Sequence, residues 1–227
     1  MVREQLGARP AQALELYEFE ACPFCRKVRE ALTELDLEVV VYPCPPGGTR
    51  YRPAAVERSG KKQFPFLVDP NTGVELLESD DITHYLFERY GSGEPGPMLA
   101  GPLATASAAL SGVGSLGRGY KVRPSRPPEK QLELYSFEGS PYARLVRERL
   151  CEMELPYLLH NVGKARTLDY IPAELKHGRL EVQGESRKRF VARSGKMMVP
   201  YLVDPNSGWE SFESLKILRY LEETYGA

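Results

Sequence analysis

Apolar and polar residues alternate near the start of the chain in a way that predicts two strands joined by a helix. Residues 14–19 alternate with a period of two, as a half-buried strand does. The β-branched run 39–42 predicts a second strand, buried on both faces and parallel to the first in a right-handed βαβ unit. Between them, apolar residues recur at helical spacing, at Val28, Ala31, Leu32 and Leu35.

The next residues predict a β-hairpin and a closing helix. Two short apolar runs, 66–68 and 74–77, flank residues 69–73, whose Pro, Asn and Gly favour a tight turn. A further helix follows from the spacing of Ile82, Tyr85 and Leu86.

This whole pattern occurs twice along the chain. Residues 14–17 read Leu-Glu-Leu-Tyr and recur 118 residues later, whereas residues 64–71 recur in similar form 135 residues later. The second copy therefore carries an insertion of 17 residues, between Asn161 and Arg193. Two homologous α/β modules are the simplest interpretation.

The repeat divides the chain into a first module at 12–91, a linker at 92–130 and a second module at 131–226. The linker is rich in Gly, Pro and small residues, and its middle, 103–116, predicts a short helix that packs between the modules. A membrane span is the alternative, but the run is shorter and more polar than the roughly 20 apolar residues that a span needs.

Composition and charge narrow the class of protein. With 30 Lys plus Arg against 31 Asp plus Glu, the net charge is −1, so charge indicates neither a nucleic-acid partner nor a membrane partner. A hydrophobic content of 42% is typical of a folded globular protein and excludes a disordered chain. Four cysteines and no visible secretory signal predict reduced thiols in an intracellular reducing compartment.

Two cysteines stand at the predicted junction of the first strand and the first helix, in the order Cys22-Pro23-Phe24-Cys25. A thiol in the first turn of a helix meets free backbone N–H groups and the positive end of the helix dipole, which lower its pKa. Cys25 is then within reach to resolve a mixed disulfide on Cys22. We predict a redox pair with Cys22 exposed and Cys25 buried. The alternatives are half of a zinc site, for which the other cysteines and the three His are too scattered, and two inert thiols.

The order of elements and three short motifs together resemble known domain families. The element order βαβ, helix, ββα is that of a thioredoxin-like domain. Together with residues 22–25, the Phe64-Pro65 step and the acidic-hydroxyl run 78–80, the chain resembles a glutaredoxin or the N-terminal domain of a glutathione S-transferase. The resemblance implies two tandem thioredoxin-like domains. It also implies that the all-helical domain of a full transferase is missing, because the sequence ends at Ala227.

The same resemblance implies a glutathione site in the first module. Pro65 would be cis, and Phe64 would offer its backbone to the cysteinyl part of glutathione. Glu78, Ser79 and Asp80 would hold the γ-glutamyl group at the N-terminus of the last helix. Each has a structural alternative, since a cis proline shapes the fold and Ser79 or Asp80 would serve as a helix cap.

The second module lacks the cysteine pair. Ser140-Pro141-Tyr142-Ala143 stands in its place, so this module cannot perform dithiol chemistry. Ser140 would either hydrogen-bond a glutathione thiolate or cap its helix, and we favour the cap. The candidate site residues of this module are Ser140, Val199, Pro200, Glu213 and Ser214.

The first module also departs from the glutaredoxin pattern. Glu18 and Glu20 stand where many glutaredoxins carry a lysine, so we expect them to oppose the Cys22 thiolate and repel an anionic tripeptide, with partial compensation from Arg26 and Lys27. The candidates for binding the glycine carboxylate of glutathione are Arg50, Arg52, Lys61 and Lys62, with a solvated basic face as the favoured alternative.

The other two cysteines lie outside the motif. Cys44 ends the second strand and is predicted to share a cleft with Cys22, as a redox partner, an iron–sulfur ligand or a buried thiol, of which we favour the last. Cys151 lies on the apolar face of a predicted helix and is expected in the core.

We therefore predict a glutaredoxin-like thiol–disulfide oxidoreductase in which Cys22 attacks, Cys25 resolves and the second module is noncatalytic. Its partners would be glutathione or protein disulfides. The alternatives are a glutathione- or protein-binding scaffold without turnover and, less favoured, an iron–sulfur cluster carrier. The tandem arrangement is similar to a two-module family of plants and algae, which implies the plastid stroma, with the cytoplasm as the alternative. No metal ligands are predicted.

Overall fold

Eight strands and six helices form the part of the chain that the structure describes. The short helix predicted at 103–116 and most of the predicted insertion lie outside that part. The structure is a computed structural model, and it describes residues 2, 6–91, 93–96, 99, 118–164 and 184–227.

The first module follows the predicted order of elements, and its strand bounds agree with the predicted ones to within one residue. Its elements are β1 (Leu14–Glu18), α1 (Pro23–Glu34), β2 (Val39–Pro43), α2 (Arg52–Ser59), β3 (Phe66–Asp69), β4 (Val74–Leu76) and α3 (Ser79–Tyr90).

The second module repeats this order element by element, so the chain contains two thioredoxin-like regions. Its elements are β5 (Leu132–Ser136), α4 (Pro141–Glu152), β6 (Tyr157–Asn161), α5 (Glu185–Ser194), β7 (Tyr201–Asp204), β8 (Trp209–Ser211) and α6 (Ser214–Tyr225).

Local chemistry explains the matching loops of the two modules. Asn71, in the β3–β4 turn, accepts the backbone N–H of Gln12 at 2.9 Å and donates to its carbonyl at 3.0 Å. Asn206 makes the same pair of bonds with the backbone of Lys130, at 2.7 and 2.9 Å. Each Asn thus ties its hairpin to the segment that enters the first strand of its module.

All eight strands belong to one sheet, in the order β4-β3-β1-β2-β6-β5-β7-β8. β1 and β2 are parallel, as predicted, and β5 and β6 repeat that pairing. The two modules join where β2 pairs antiparallel with β6, with Val40 opposite Leu158. The sheet therefore runs through both modules.

One apolar core follows the sheet across the module boundary. It contains fully buried residues of the first module, such as Leu16 and Leu32, and of the second, such as Leu134 and Leu150. Above the sheet, α1 packs on α3 and α4 packs on α6. The described residues contain no separate helical domain beyond these elements.

A buried group of charges also crosses the boundary. Arg29 of α1 binds Glu138 of the second module at 2.9 Å, and Arg147 of α4 binds Glu20 of the first module at 3.1 Å. Arg29 also pairs with Glu18. We call these five residues the charge cluster. Their side chains are at most 4% exposed, so each charge depends on its partners rather than on water.

Candidate functional site

Cys22 lies at the junction of β1 and α1 and forms the N-cap of that helix. Pro23 occupies the first helical turn, where its missing N–H costs no hydrogen bond. The Cys22 Sγ accepts the backbone N–H of Cys25 at 3.3 Å. The thiol therefore takes the capping place that a Ser or Asp side chain fills in most helices.

The two thiols have opposite proton affinities. Hydrogen bonds from the Cys25 thiol and from the backbone N–H groups of the first turn lower the pKa of Cys22 to about 7, against the opposing effect of burial. Burial raises the pKa of Cys25 well above its usual range. Cys22 is thus the thiol that ionises near neutral pH.

The prediction that Cys22 is exposed is wrong at the level of the whole residue. Cys22 is only 4% exposed and Cys25 is 0% exposed. Cys22 nevertheless lines a surface groove of about 600 Å³.

The loop before β3 forms one wall of the groove. The Phe64-Pro65 peptide bond is cis, as the resemblance implied. The Phe64 carbonyl oxygen lies 3.9 Å from the Cys22 Sγ, and both Phe64 and Pro65 line the groove. The second module has the equivalent cis bond at Val199-Pro200.

The N-terminus of α3 contributes a polar part of the groove. Glu78 and Ser79 line it, and Glu78 Oε1 accepts a hydrogen bond from Gln63 Nε2 at 2.6 Å. Asp80 is not among the lining residues and pairs instead with Lys27. Neither Ser79 nor Asp80 is the N-cap of α3, because Glu78 holds that position. The alternative that one of them caps the helix is therefore wrong.

The four basic residues that are candidates for binding the glycine carboxylate do not all lie at the groove. Arg52 and Lys62 line the groove, and the Arg52 guanidinium stacks 4.5 Å from the centre of the Phe64 ring. Arg50 turns away and donates to the backbone carbonyl of Glu154 at 2.6 Å. Lys61 is exposed and does not line the groove.

Glu18 and Glu20 lie away from the groove, so the expectation that they repel an anionic peptide there is wrong. Both carboxylates are buried in the charge cluster and do not line the groove. Their charge is met by Arg29 and Arg147, and the Arg29 guanidinium itself lowers the pKa of Cys22. Burial, together with nearby negative groups that include the Cys22 thiolate, raises the pKa of Glu18 to about 8. Glu18 and the thiolate therefore still disfavour one another, and Arg29 offsets that effect.

The remaining cysteines are buried thiols. Cys44 is 0% exposed, lies in the same apolar cluster as Cys22, and has its pKa raised by burial. Cys151 is 3% exposed on α4, in the predicted core position. Within the described residues, no group of three or more His, Cys, Asp or Glu side chains is arranged to hold a metal ion.

The second module keeps the backbone of the site but changes its side chains. Ser140 is the N-cap of α4 and accepts the Ala143 N–H at 3.3 Å, so the favoured capping role is the one observed. Glu213 is the N-cap of α6, with Ser214 as the next residue, and Glu213 pairs with Lys216. Met198 stands at the position equivalent to Gln63.

One lining residue had no sequence signal. Tyr120, in the linker, lies against Phe19 with 6.1 Å between ring centres and lines the same groove as Cys22. An isolated tyrosine between Gly119 and Lys121 forms no motif or period, so its place is set only by the path of the linker.

The model of the glutathione S-transferase N-terminal domain matches residues 16–96 and again residues 134–227, which together are more than half of the chain. The chain belongs to this family. The glutathione S-transferase N-terminal domain occurs in it twice, once with the cysteine pair and once without.

Similar solved structures cover limited parts of the chain. A glutathione transferase of Bombyx mori is 27% identical over 37% of this chain and 39% of its own, with a TM-score of 0.34. Glutaredoxin 2 of Salmonella typhimurium, solved in complex with glutathione, is 28% identical over 38% of this chain and 40% of its own, with a TM-score of 0.28. A trimeric Leishmania glutathione transferase is 16% identical over 96% of this chain and 68% of its own, with a TM-score of 0.29.

The chain thus matches less than half the length of the first two of these proteins. No curated protein matches it. No helix among the described residues is long and apolar enough to cross a bilayer.

Proposed function

We propose that the first module is a glutathione-linked thiol–disulfide oxidoreductase. The observation that carries the proposal is the Cys22 thiol itself, which caps α1, has a pKa lowered to about 7 and opens onto a groove beside a cis proline. A thiolate at neutral pH is the nucleophile that disulfide exchange requires.

The reaction would proceed in two exchanges. The Cys22 thiolate attacks the glutathione sulfur of a mixed disulfide, the S–S bond breaks, and the other thiol leaves as a thiolate that takes up a proton. Cys25 then loses its proton and attacks Cys22, which releases glutathione and leaves a Cys22–Cys25 disulfide. Two molecules of reduced glutathione return the pair to thiols and leave as glutathione disulfide.

The groove offers partners for the peptide part of glutathione. Glu78, Ser79 and the backbone of Phe64 would bind its γ-glutamyl and cysteinyl parts, while Arg52 and Lys62 would pair with the glycine carboxylate. Asp80, which does not line the groove, would contribute only through its pair with Lys27. In the second module we assign Ser140, Val199, Pro200, Glu213 and Ser214 no catalytic role.

The test is the intact mass of the reduced protein after exposure to glutathione disulfide, with the modified residue mapped. We expect a glutathione adduct on Cys22 in the Cys25→Ser variant and a Cys22–Cys25 disulfide in the natural chain. Cys44→Ser is the matched control, because Cys44 is buried in the same cluster and its pKa is raised. Alkylation of Cys22 without any reaction with glutathione disulfide would contradict turnover and favour the scaffold alternative.

The proposed location rests on the sequence resemblance, and the iron–sulfur carrier is an alternative to the proposal. We place the protein in the plastid stroma, which a fluorescent fusion in plant or algal cells tests. The iron–sulfur alternative predicts visible absorption that depends on Cys22 after anaerobic reconstitution with iron and sulfide.

A further inference from the structure

The linker crosses the first module as a short strap, residues 118–126, that the second module holds in place. The Gly119 N–H donates to Glu152 Oε1 of α4 at 3.0 Å, and the Cys151 thiol donates to the Gly119 carbonyl at 3.4 Å. Further along, the Arg123 N–H donates to the Glu152 carbonyl at 2.7 Å. The strap is therefore fixed to α4 at both ends of Tyr120.

Glycine is required where the strap meets the first module. Gly119 has a left-handed φ of +73°, and a Cβ there would lie 2.9 Å from the Cβ of Glu20. Only a residue without a side chain lets the strap approach this closely without strain.

The strap adds an aromatic wall to the Cys22 groove. Tyr120 is 49% exposed and meets Phe19 edge to face, and Phe19 in turn meets Phe64 edge to face at 6.4 Å. Phe64 is the residue whose carbonyl lies next to the Cys22 Sγ. A row of three rings thus leads from the strap to the reactive sulfur. We call Phe19 and Tyr120 the aromatic wall.

Among the residues that the structure describes, such a wall is found on the first module only. The residue equivalent to Phe19 in the second module is Phe137, and its ring carries the Lys164 ammonium at 5.3 Å in place of a second ring. The chain has a single linker, so only the first module receives a tyrosine from it.

We propose that the aromatic wall binds the apolar or aromatic group of the thiol that leaves when Cys22 attacks a glutathione mixed disulfide, and that the second module serves this site by holding Tyr120. This inference rests on the proposed function. The polar lining at Gln63, Glu78 and Ser79 suits the peptide half of such a substrate. The wall suits the other half, because two ring faces exclude water from an apolar group.

The test compares two substrates and two tyrosines. The mixed disulfide of glutathione with benzyl mercaptan carries an aromatic leaving group, whereas the one with 2-mercaptoethanol does not. For Tyr120→Ala we expect kcat/KM to fall about three- to tenfold with the benzyl substrate, mainly through KM, and to change less than about twofold with the other. Tyr142→Ala, an exposed tyrosine of the second module, should alter neither.

A second pair of variants tests the role of the strap. Gly119→Ala displaces the strap and should cause the same selective loss as Tyr120→Ala. Gly208→Ala is its matched control, since Gly208 has a φ of +74° and no atom within 4 Å of a built Cβ, so it adds backbone strain far from the wall.

The outcomes separate this inference from the proposed function. Equal losses with both substrates, or no loss in Tyr120→Ala, would overturn the aromatic wall while leaving the oxidoreductase intact. A natural chain that turns over neither substrate would overturn both.

Discussion

The two modules have the same backbone at their sites and different chemistry. Each has a side chain that caps a helix by accepting an N–H at 3.3 Å, and each has a cis proline before its third strand. The capping atom is sulfur in the first module and oxygen in the second. The thioredoxin-like backbone alone therefore does not make a redox site, and the side chains placed on it decide what it can do.

The surroundings of the two caps have also diverged. Lys62 and Gln63 of the first module are replaced by Met197 and Met198 in the second, and Asp80 by Leu215, which is 74% exposed. These changes remove charge and hydrogen-bonding capacity, at Lys62 and Gln63 from the lining of the groove and at Asp80 from the helix beside it. The second module has kept the packing and the Glu213-Ser214 pair and has lost these three polar side chains.

The largest expected effect comes from replacing Cys22, whose sulfur distinguishes the helix cap of the first module from that of the second. Cys22→Ser gives the first module the same capping atom as the second, so we expect loss of at least about a thousandfold in disulfide reduction, because the nucleophile is gone. Ser140→Ala, the matched change in the second module, should leave the rate within about twofold. A coupled assay of glutathione mixed-disulfide reduction measures both. Full activity in Cys22→Ser would place the chemistry elsewhere.

The next effect concerns the charge cluster, where the comparison is between two arginines. Arg29→Met leaves Glu18 buried without its arginine partner, whereas Glu138 keeps Arg147 at 3.1 Å, and we expect a loss of about 3–5 kcal/mol in the free energy of unfolding. Arg147→Met should cost less, because Arg29 still reaches both Glu20 and Glu138. Urea denaturation gives both values. Equal losses would contradict the asymmetry of the cluster.

The pH dependence of thiol alkylation compares the helix caps of the two modules directly. Only the thiolate reacts with iodoacetamide, so below the pKa of about 7 the Cys22 rate should rise about tenfold per pH unit, and it should level off above that pKa. A Ser140→Cys variant should level off at higher pH, because Ala143 supplies a backbone N–H but no second thiol. Stopped-flow alkylation in a Cys22→Ser background isolates the new thiol. Identical profiles would show that the helix terminus suffices.

The smallest expected effect concerns the asparagine of each hairpin, a feature that the two modules share. Asn71→Ala and Asn206→Ala each remove the same two bonds to an entering segment, so each should cost about 1 kcal/mol in the free energy of unfolding. Thermal and urea denaturation of both variants measure this. A difference of more than about 1 kcal/mol would show that the hairpins are not equivalent.

The fold can be predicted from the sequence because the signals for its elements are local. Alternation in residues 14–19, the helical spacing from Val28 to Leu35 and the turn at 69–73 each act within a few residues. The internal repeat then assigned the second module. The cysteine pair is predictable for the same reason, since its role follows from one strand-to-helix junction.

Other features of the site and the sheet cannot be predicted in this way, because they depend on contacts between residues far apart in the sequence. In the sequence Glu20 lies near Cys22, but its buried partner Arg147 is 127 residues away. Tyr120 reaches the groove through the path of the linker. The pairing of β2 with β6 is a further example. The apolar residues of each strand predict that it is buried in a sheet, but they do not identify the strand beside it.

The β2–β6 pairing also determines how a separated module would behave. In the intact chain each of these strands hides the other's row of backbone N–H and C=O groups. A protein cut within the linker would leave β2 as an open edge of alternating buried and half-buried residues, which templates pairing with another copy. Isolated first modules would therefore self-associate edge to edge, and the tandem arrangement protects against that aggregation by supplying the matching strand from the same molecule.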